Sequence, residues 1–274
     1  MKDLKNVDQH FAFGKNWFSF LETVDETSIA KAKEGLTELI PPTALDKATF
    51  LDIGCGSGLS TLAAIESGVN NVLAIDIDPD SIHATKKLLH KMGLEQNVDV
   101  QLKSIFDLRT DDVGAFDIVY SWGVLHHSGD MWTAIRIASS MVADNGLFVL
   151  AIYTRTHCCT AWKYIKRFYS KSPQFIQKLC RGIYKLLFYS KLLCTGKSPL
   201  QYIRNYSQRG MNFHIDVHDW IGGYPYESAT PEEILSFMNQ LDFKPINILR
   251  LRFVLAFLAP AVPNMFFKNV ASFA

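Results

Sequence analysis

The chain has 274 residues, enough for one large domain or a core domain carrying an elaboration. Apolar residues make up 48% of it, mean hydropathy is near zero, and no run approaches the ~18–20 apolar residues of a bilayer span, which excludes a disordered chain and argues against a spanning one. Net charge is only +1, which hides an uneven distribution along the chain, and five cysteines without metal-ligand spacing, two of them adjacent (Cys158 and Cys159), fit a reducing cytoplasm.

In chain order, Met1 to His10 is mostly polar and lacks the apolar run of a signal peptide. Residues 8–20 are rich in aromatic side chains: Phe11, Phe13, Trp17, Phe18 and Phe20. A helix is predicted from about Thr27 to Ile40, with Asp25 as its cap, Ile29, Ala32, Leu36 and Leu39 on one face, and Pro41-Pro42 as its stop. Phe50 to Ile53 is an apolar strand running into three alternating glycines, Gly54, Gly56 and Gly58, and a helix-forming segment follows to Ser67. At such a corner the missing Cβ atoms let backbone N–H groups approach a ligand, and the helix N-terminus favours negative charge. Val72 to Ile75 is a second strand ending at Asp76, twenty residues past Gly56, the distance at which an acid on the next strand reaches ribose hydroxyls in a nucleotide-binding βαβ unit. Asp78, Pro79 and Gly93 bracket a helix over 79–92 in their preferred cap, first-turn and terminator positions. Strands are predicted at Val98–Lys103, Phe116–Tyr120 and Gly146–Tyr153, with a helix from Asp130 between the last two. This alternation implies a doubly wound, mostly parallel α/β sheet whose ligands bind beyond the strands' carboxyl ends.

A dinucleotide fingerprint would require glycine at position 59, which is Leu59, so a nicotinamide cofactor is not expected. The run Asp52-Ile53-Gly54-Cys55-Gly56-Ser57-Gly58, together with Ala74 to Pro79, Ser104 to Leu108 and Phe116 to His127, resembles the class I S-adenosylmethionine-dependent methyltransferases, in particular the ubiquinone-biosynthesis-type small-molecule enzymes. The resemblance covers roughly residues 48–153. It implies a Rossmann-like fold with S-adenosyl-L-methionine as cofactor. Asp52, Gly54, Cys55, Gly56 and Gly58 would surround its methionine part, Asp76 its ribose and Ile77 its adenine, with Ser104, Ile105, Ser121 and Trp122 completing the pocket. The family often carries an acid near position 104 where this chain has Ser104. In the family the second histidine of a Leu-His-His run often lies near substrate, so His127, with His126 beside it, is the expected general base. Phe13 and Trp17 are expected either to reach the substrate side as part of an N-terminal lid or to pack against the sheet.

After Tyr153 the chain changes character. No Asp or Glu occurs between Asn145 and Ile215, while twelve Lys and Arg do, which marks a basic insertion after the fifth strand of an otherwise acidic body. From Ser172-Pro173 a helix is predicted with Ile176, Leu179, Ile183, Leu186 and Leu187 on one face and Lys178, Arg181 and Lys185 opposite. Its cationic face is either solvated or docks on an anionic membrane or substrate. His214, Asp216 and His218 are expected along one side of an extended segment, without a companion motif for a metal, and His214, Tyr224 and Tyr226 are candidate substrate contacts. Thr230-Pro231-Glu232-Glu233 opens a further helix, and two final strands, near 246–254 and 264–268, are expected from the family as an antiparallel pair.

The expected organisation is therefore a lid and helix at 1–45, a cofactor core at 46–154, the basic helical insertion at 155–228 and closing elements at 229–274. The expected activity is methyl transfer to a small molecule at oxygen, in the cytoplasm, with peripheral contact to the inner face of a membrane. An RNA methyltransferase tracking phosphates with the insertion, or a non-catalytic binding protein on the same fold, are the alternatives; near-zero net charge and the absence of a separate RNA-binding module speak against nucleic acid.

Overall fold

The computed structural model describes residues 10, 11, 13, 14, 17, 21, 24–207, 213–250 and 268–273, the backbone alone at 205, 207, 247–250 and 268–273. Seven strands form one sheet in the order β3-β2-β1-β4-β5-β7-β6. They are β1 (Thr49–Ile53), β2 (Asn71–Asp76), β3 (Val98–Leu102), β4 (Phe116–Trp122), β5 (Val142–Tyr153), β6 (Pro245–Arg250) and β7 (Lys268–Phe273). The first five pair in parallel, and β7 runs antiparallel between β5 and β6. This is the Rossmann-like doubly wound arrangement of class I methyltransferases. The last strand lies at 268–273, later in the chain than the 264–268 expected from the sequence. Phe18, Phe20 and the apolar link at 253–263 fall outside the described residues.

Parallel strands bury both faces, so their side chains split alternately between two cores. Leu51, Ile53, Leu73, Ile75, Phe148 and Leu150 face one core; Phe50, Val72, Ala74, Ile118, Val149 and Ala151 face the other. The second core is closed by α1 (Glu26–Leu39) and α2 (Leu59–Glu66) through Leu36, Leu39, Ala63 and Ala64. Next along the chain come α3 (Pro79–Met92), capped by Asp78 and ended by Gly93, and α4 (Met131–Ser140), which covers the first core with Met131, Ile135 and Ala138.

After β5 the chain forms α5 (Cys159–Lys171), α6 (Gln174–Cys194), α7 (Pro199–Ser207) and α8 (Phe213–Gly222) before α9 (Pro231–Asn239) returns it to β6. The four helices α5–α8 share an aromatic interior of their own, built on Tyr169, Phe188, Tyr206 and Phe213, to which Phe11 also contributes. His214, Asp216 and His218 belong to α8 and not to an extended segment. In the helix His214 and His218 are one turn apart while Asp216 points elsewhere, so the pattern of alternation read from the sequence is replaced by a helical one.

Candidate active site

The strand order reverses between β1 and β4, and a cavity of about 180 Å³ opens at the carboxyl ends of β1, β2, β3 and β4. That is where an α/β sheet binds its ligand, because loops leaving neighbouring strands diverge there. Gly54 and Gly56 form its floor. Gly54 has φ +77°, and a Cβ there would lie 2.4 Å from Val124, so only glycine lets the corner pack this closely on the loop after β4. At Gly58, φ +79°, a Cβ would meet the Thr85 backbone at 2.9 Å, so this glycine brings α2 against α3 and does not line the cavity. Thr85 in turn donates to the Gly56 carbonyl (3.1 Å) and to Cys55 Sγ (3.3 Å), fixing the corner from behind.

Asp76 ends β2 at the cavity wall. Its carboxylate accepts from the Gly56 N–H (3.1 Å) and the Asp78 N–H (2.9 Å), which joins the glycine corner to the next strand. Burial pushes its carboxyl up to about 6, against the pull of those two N–H groups. Asp52 is buried, accepts from Thr61 Oγ1 at 2.6 Å, and is pushed up to about 7, chiefly by burial. Asp52, Cys55 and Ser121 all stand behind the lining. Ile77, Ser104, Ile105 and Trp122 are in it. The Ser104 hydroxyl accepts from the Phe106 N–H (3.3 Å) and caps the turn Ile105–Asp107.

The opposite wall is the turn Leu125–His127 after β4. His127 lines the cavity, whereas His126 is wholly buried between His127 and Tyr153. His127 Nδ1 lies 2.7 Å from the Pro225 carbonyl oxygen. A carbonyl only accepts, so Nδ1 carries a hydrogen, and in the neutral ring Nε2 is the acceptor nitrogen. Phe13 lies with its ring 5.3 Å from His127, and Trp17 lies over Gly56. Two contacts hold these N-terminal residues at the cavity: Gly14 N–H donates to Asp78 Oδ2 (2.8 Å), and Phe11 N–H donates to the Tyr224 carbonyl (2.8 Å).

Tyr224 and Tyr226 face elsewhere, into a separate cavity of about 580 Å³ with Arg155, Lys163 and Arg167, where Tyr226 donates to Cys159 Sγ at 3.2 Å. The backbone between them, through the Pro225 carbonyl, is what touches the site. His214 is exposed on α8, away from both cavities. His218 accepts from Tyr169 Oη and Arg181 Nη1 and is held down to about 4 by burial and the arginine charge. Among the described residues no group of three His, Cys, Asp or Glu side chains is arranged to hold a metal.

The tethers have no local signature in the sequence. Asp78 was legible only as a helix cap, and the Gly222-Gly223 turn carried no sign that it approaches Phe11 and His127. A Cβ at Gly223 would lie 2.7 Å from His127 Cε1, and one at Gly222 would enter the Phe11 ring. Paired glycines near a predicted site are the signal that could have flagged this turn.

Residues 45–203 match a family described as a methyltransferase domain, which spans more than half of the chain. The chain belongs to that family. A ubiquinone biosynthesis O-methyltransferase of Xanthomonas campestris pv. campestris (strain B100) is 34% identical over 113 residues, 41% of this chain and 46% of the relative. The chain thus matches about half the length of such relatives. Among solved structures, magnesium protoporphyrin IX methyltransferase from Synechocystis PCC 6803 superposes with a TM-score of 0.52 at 12% identity, covering 92% of this chain and 85% of that one. An O-methyltransferase family protein from Burkholderia thailandensis gives 0.52 at 13% identity, covering 88% and 54%. These likenesses share the fold. S-adenosyl-L-methionine, the methyl donor that the resemblance implies, would fit the residues present in the cavity: a glycine floor that a Cβ would fill, a carboxylate on the second strand and the apolar side chains of Ile77 and Ile105.

Proposed function

We propose that this chain methylates a small-molecule acceptor at oxygen, with His127 as general base. The observation that supports this most directly is an imidazole at the wall of the cavity, oriented through Nδ1 by the Pro225 carbonyl so that Nε2 accepts. In this reading Gly54 and Gly56 hold the methionine part of the cofactor, Asp76 accepts from the ribose hydroxyls, and Ile77 and Ile105 flank the adenine. When bound, the sulfonium supplies an electrophilic methyl carbon. The protein's own part is to orient the acceptor, exclude water and take a proton. Nε2 takes that proton from an acceptor hydroxyl, and Trp17, Phe13 and Phe11 act as a lid that keeps water out. Oxygen is favoured by this base and by the O-methyltransferase activity of the ubiquinone-biosynthesis relatives. The reading includes an acceptor with an apolar part and peripheral contact with an anionic membrane; among the described residues no helix is long and apolar enough to cross one.

Titration calorimetry with S-adenosylmethionine and S-adenosylhomocysteine, with NADH as control, tests the cofactor site: binding of the two sulfur compounds alone is expected. His127→Asn is expected to lower turnover of a phenolic acceptor by roughly 10²–10⁴-fold, the usual worth of a general base, with cofactor affinity unchanged. Retained turnover in that variant would remove His127 from the chemistry.

A further inference from the structure

The helices α5–α8 bury an aromatic interior, and this leaves the aliphatic side of α6 outside. Phe175, Leu179, Ile183, Leu186 and Leu193 fall at i, i+4, i+8, i+11 and i+18, one stripe along a 21-residue helix. Each is more than half exposed: 69, 58, 51, 65 and 65% respectively. Single exposed apolar residues are ordinary, but five on one stripe mark a contact surface.

The charges have the reverse arrangement to the one the sequence pattern predicts. Arg181 turns inward, donating to Tyr169 Oη at 2.7 Å and meeting His218 Nδ1 at 3.0 Å, and Lys185 is partly buried on the same side. By helical position the exposed Lys178 is left bordering the stripe, whereas Lys191 is carried round toward Tyr184 and is partly buried. No acidic residue occurs anywhere from 146 to 214. A second copy of the chain laid on this face would bring cations against cations, which costs affinity. An anionic bilayer matches both features, with aliphatic side chains among the acyl chains and the Lys178 ammonium group reaching up to the phosphates.

We propose that α6 lies in the plane of an anionic membrane, its Phe175–Leu193 stripe inserted into the interface and Lys178 at headgroup level. This rests on the peripheral-contact part of the functional reading and is independent of methyl transfer. The test is flotation of the full chain, without cofactor or acceptor, on phosphatidylcholine vesicles with and without phosphatidylglycerol. Wild type is expected to float with the anionic vesicles. The double variant Leu179→Glu/Leu186→Glu alters exposed positions only; it is expected to keep the wild-type melting temperature and cofactor affinity while vesicle partitioning falls at least about tenfold. Lys178→Glu is expected to weaken flotation on the anionic vesicles and leave it unchanged on neutral ones. Wild type that stays off the vesicles, or a leucine variant that floats as well as wild type, overturns the proposal. So does a wild-type dimer in sedimentation velocity that the leucine variant dissolves without any lipid effect, which would assign the stripe to a second copy. A protein that binds S-adenosylmethionine but no vesicle loses this inference alone.

Discussion

Asp76 and His127 occupy opposite walls of one cavity, and each is oriented by backbone groups. Asp76→Ala is expected to weaken S-adenosylhomocysteine binding by about 1.5–3 kcal/mol for each charge-assisted bond lost, at least tenfold in calorimetric Kd. Asp76→Asn, which keeps the shape of the group but not its charge, should fall between the two; equal affinity for all three proteins would move the ribose site elsewhere. Asp52 gives a pH signature. Its carboxyl, raised to about 7 in the fold by burial, is ordinary in the unfolded chain, so the unfolded chain ionises first as pH rises. The group therefore favours the fold at low pH, and that contribution is lost as pH climbs from about 4 through 7. Thermal melts of the ligand-free protein should show this fall, and Asp52→Asn should flatten it.

Among the elements, α9 is anchored by a capping box in which Thr230 Oγ1 accepts from the Glu233 N–H (3.2 Å) and the Glu233 carboxylate from the Thr230 N–H (2.8 Å). Because α9 buries Ile234 and Met238 in the sheet core, Thr230→Ala should cost about 1 kcal/mol in denaturant unfolding, with cofactor binding unaffected. The turn ahead of α9 has a different job. Gly222 and Gly223 let Phe11 and the His127 ring approach α8, and the Pro225 carbonyl then sets the imidazole. Gly223→Ala pushes against a ring that cannot yield without breaking that hydrogen bond. It should lower turnover about tenfold, as small displacements of a catalytic group do, while cofactor affinity is kept.

At the scale of the molecule, the sheet with its two cores and the α5–α8 layer with its aromatic interior are separate packing units joined near the cavity. Phe11 belongs to the helical interior, Gly14 is bonded to Asp78 at the start of α3, and Lys166 of α5 donates to the Trp220 carbonyl with Tyr153 and Tyr226 around it. A ligand at the carboxyl edge of the sheet should tighten that junction first. Hydrogen exchange with S-adenosylhomocysteine is expected to show slowing at residues 53–58, 76–78 and 124–128, and none along α6. Slowing spread evenly over α6 would mean that the helical layer closes as one body on the cofactor.

From the sequence alone came the parallel sheet, the glycine corner, the acid on the second strand and the caps of α3 and α9. These depend on local chemistry: apolar runs, positive-φ glycines and side chains that bond backbone within a few residues. Only the tertiary structure decided which face of α6 is outside, because periodicity defines two faces and says nothing of what each will meet. The aromatic interior of α5–α8 took the side carrying Arg181 and left the leucines exposed. The same holds for His127, whose proton is assigned by a carbonyl ninety-eight residues away, and for Asp78, whose carboxylate holds Gly14 from sixty-four residues off. Contacts of that range have no local pattern; they exist only once the sheet has brought its strand ends together.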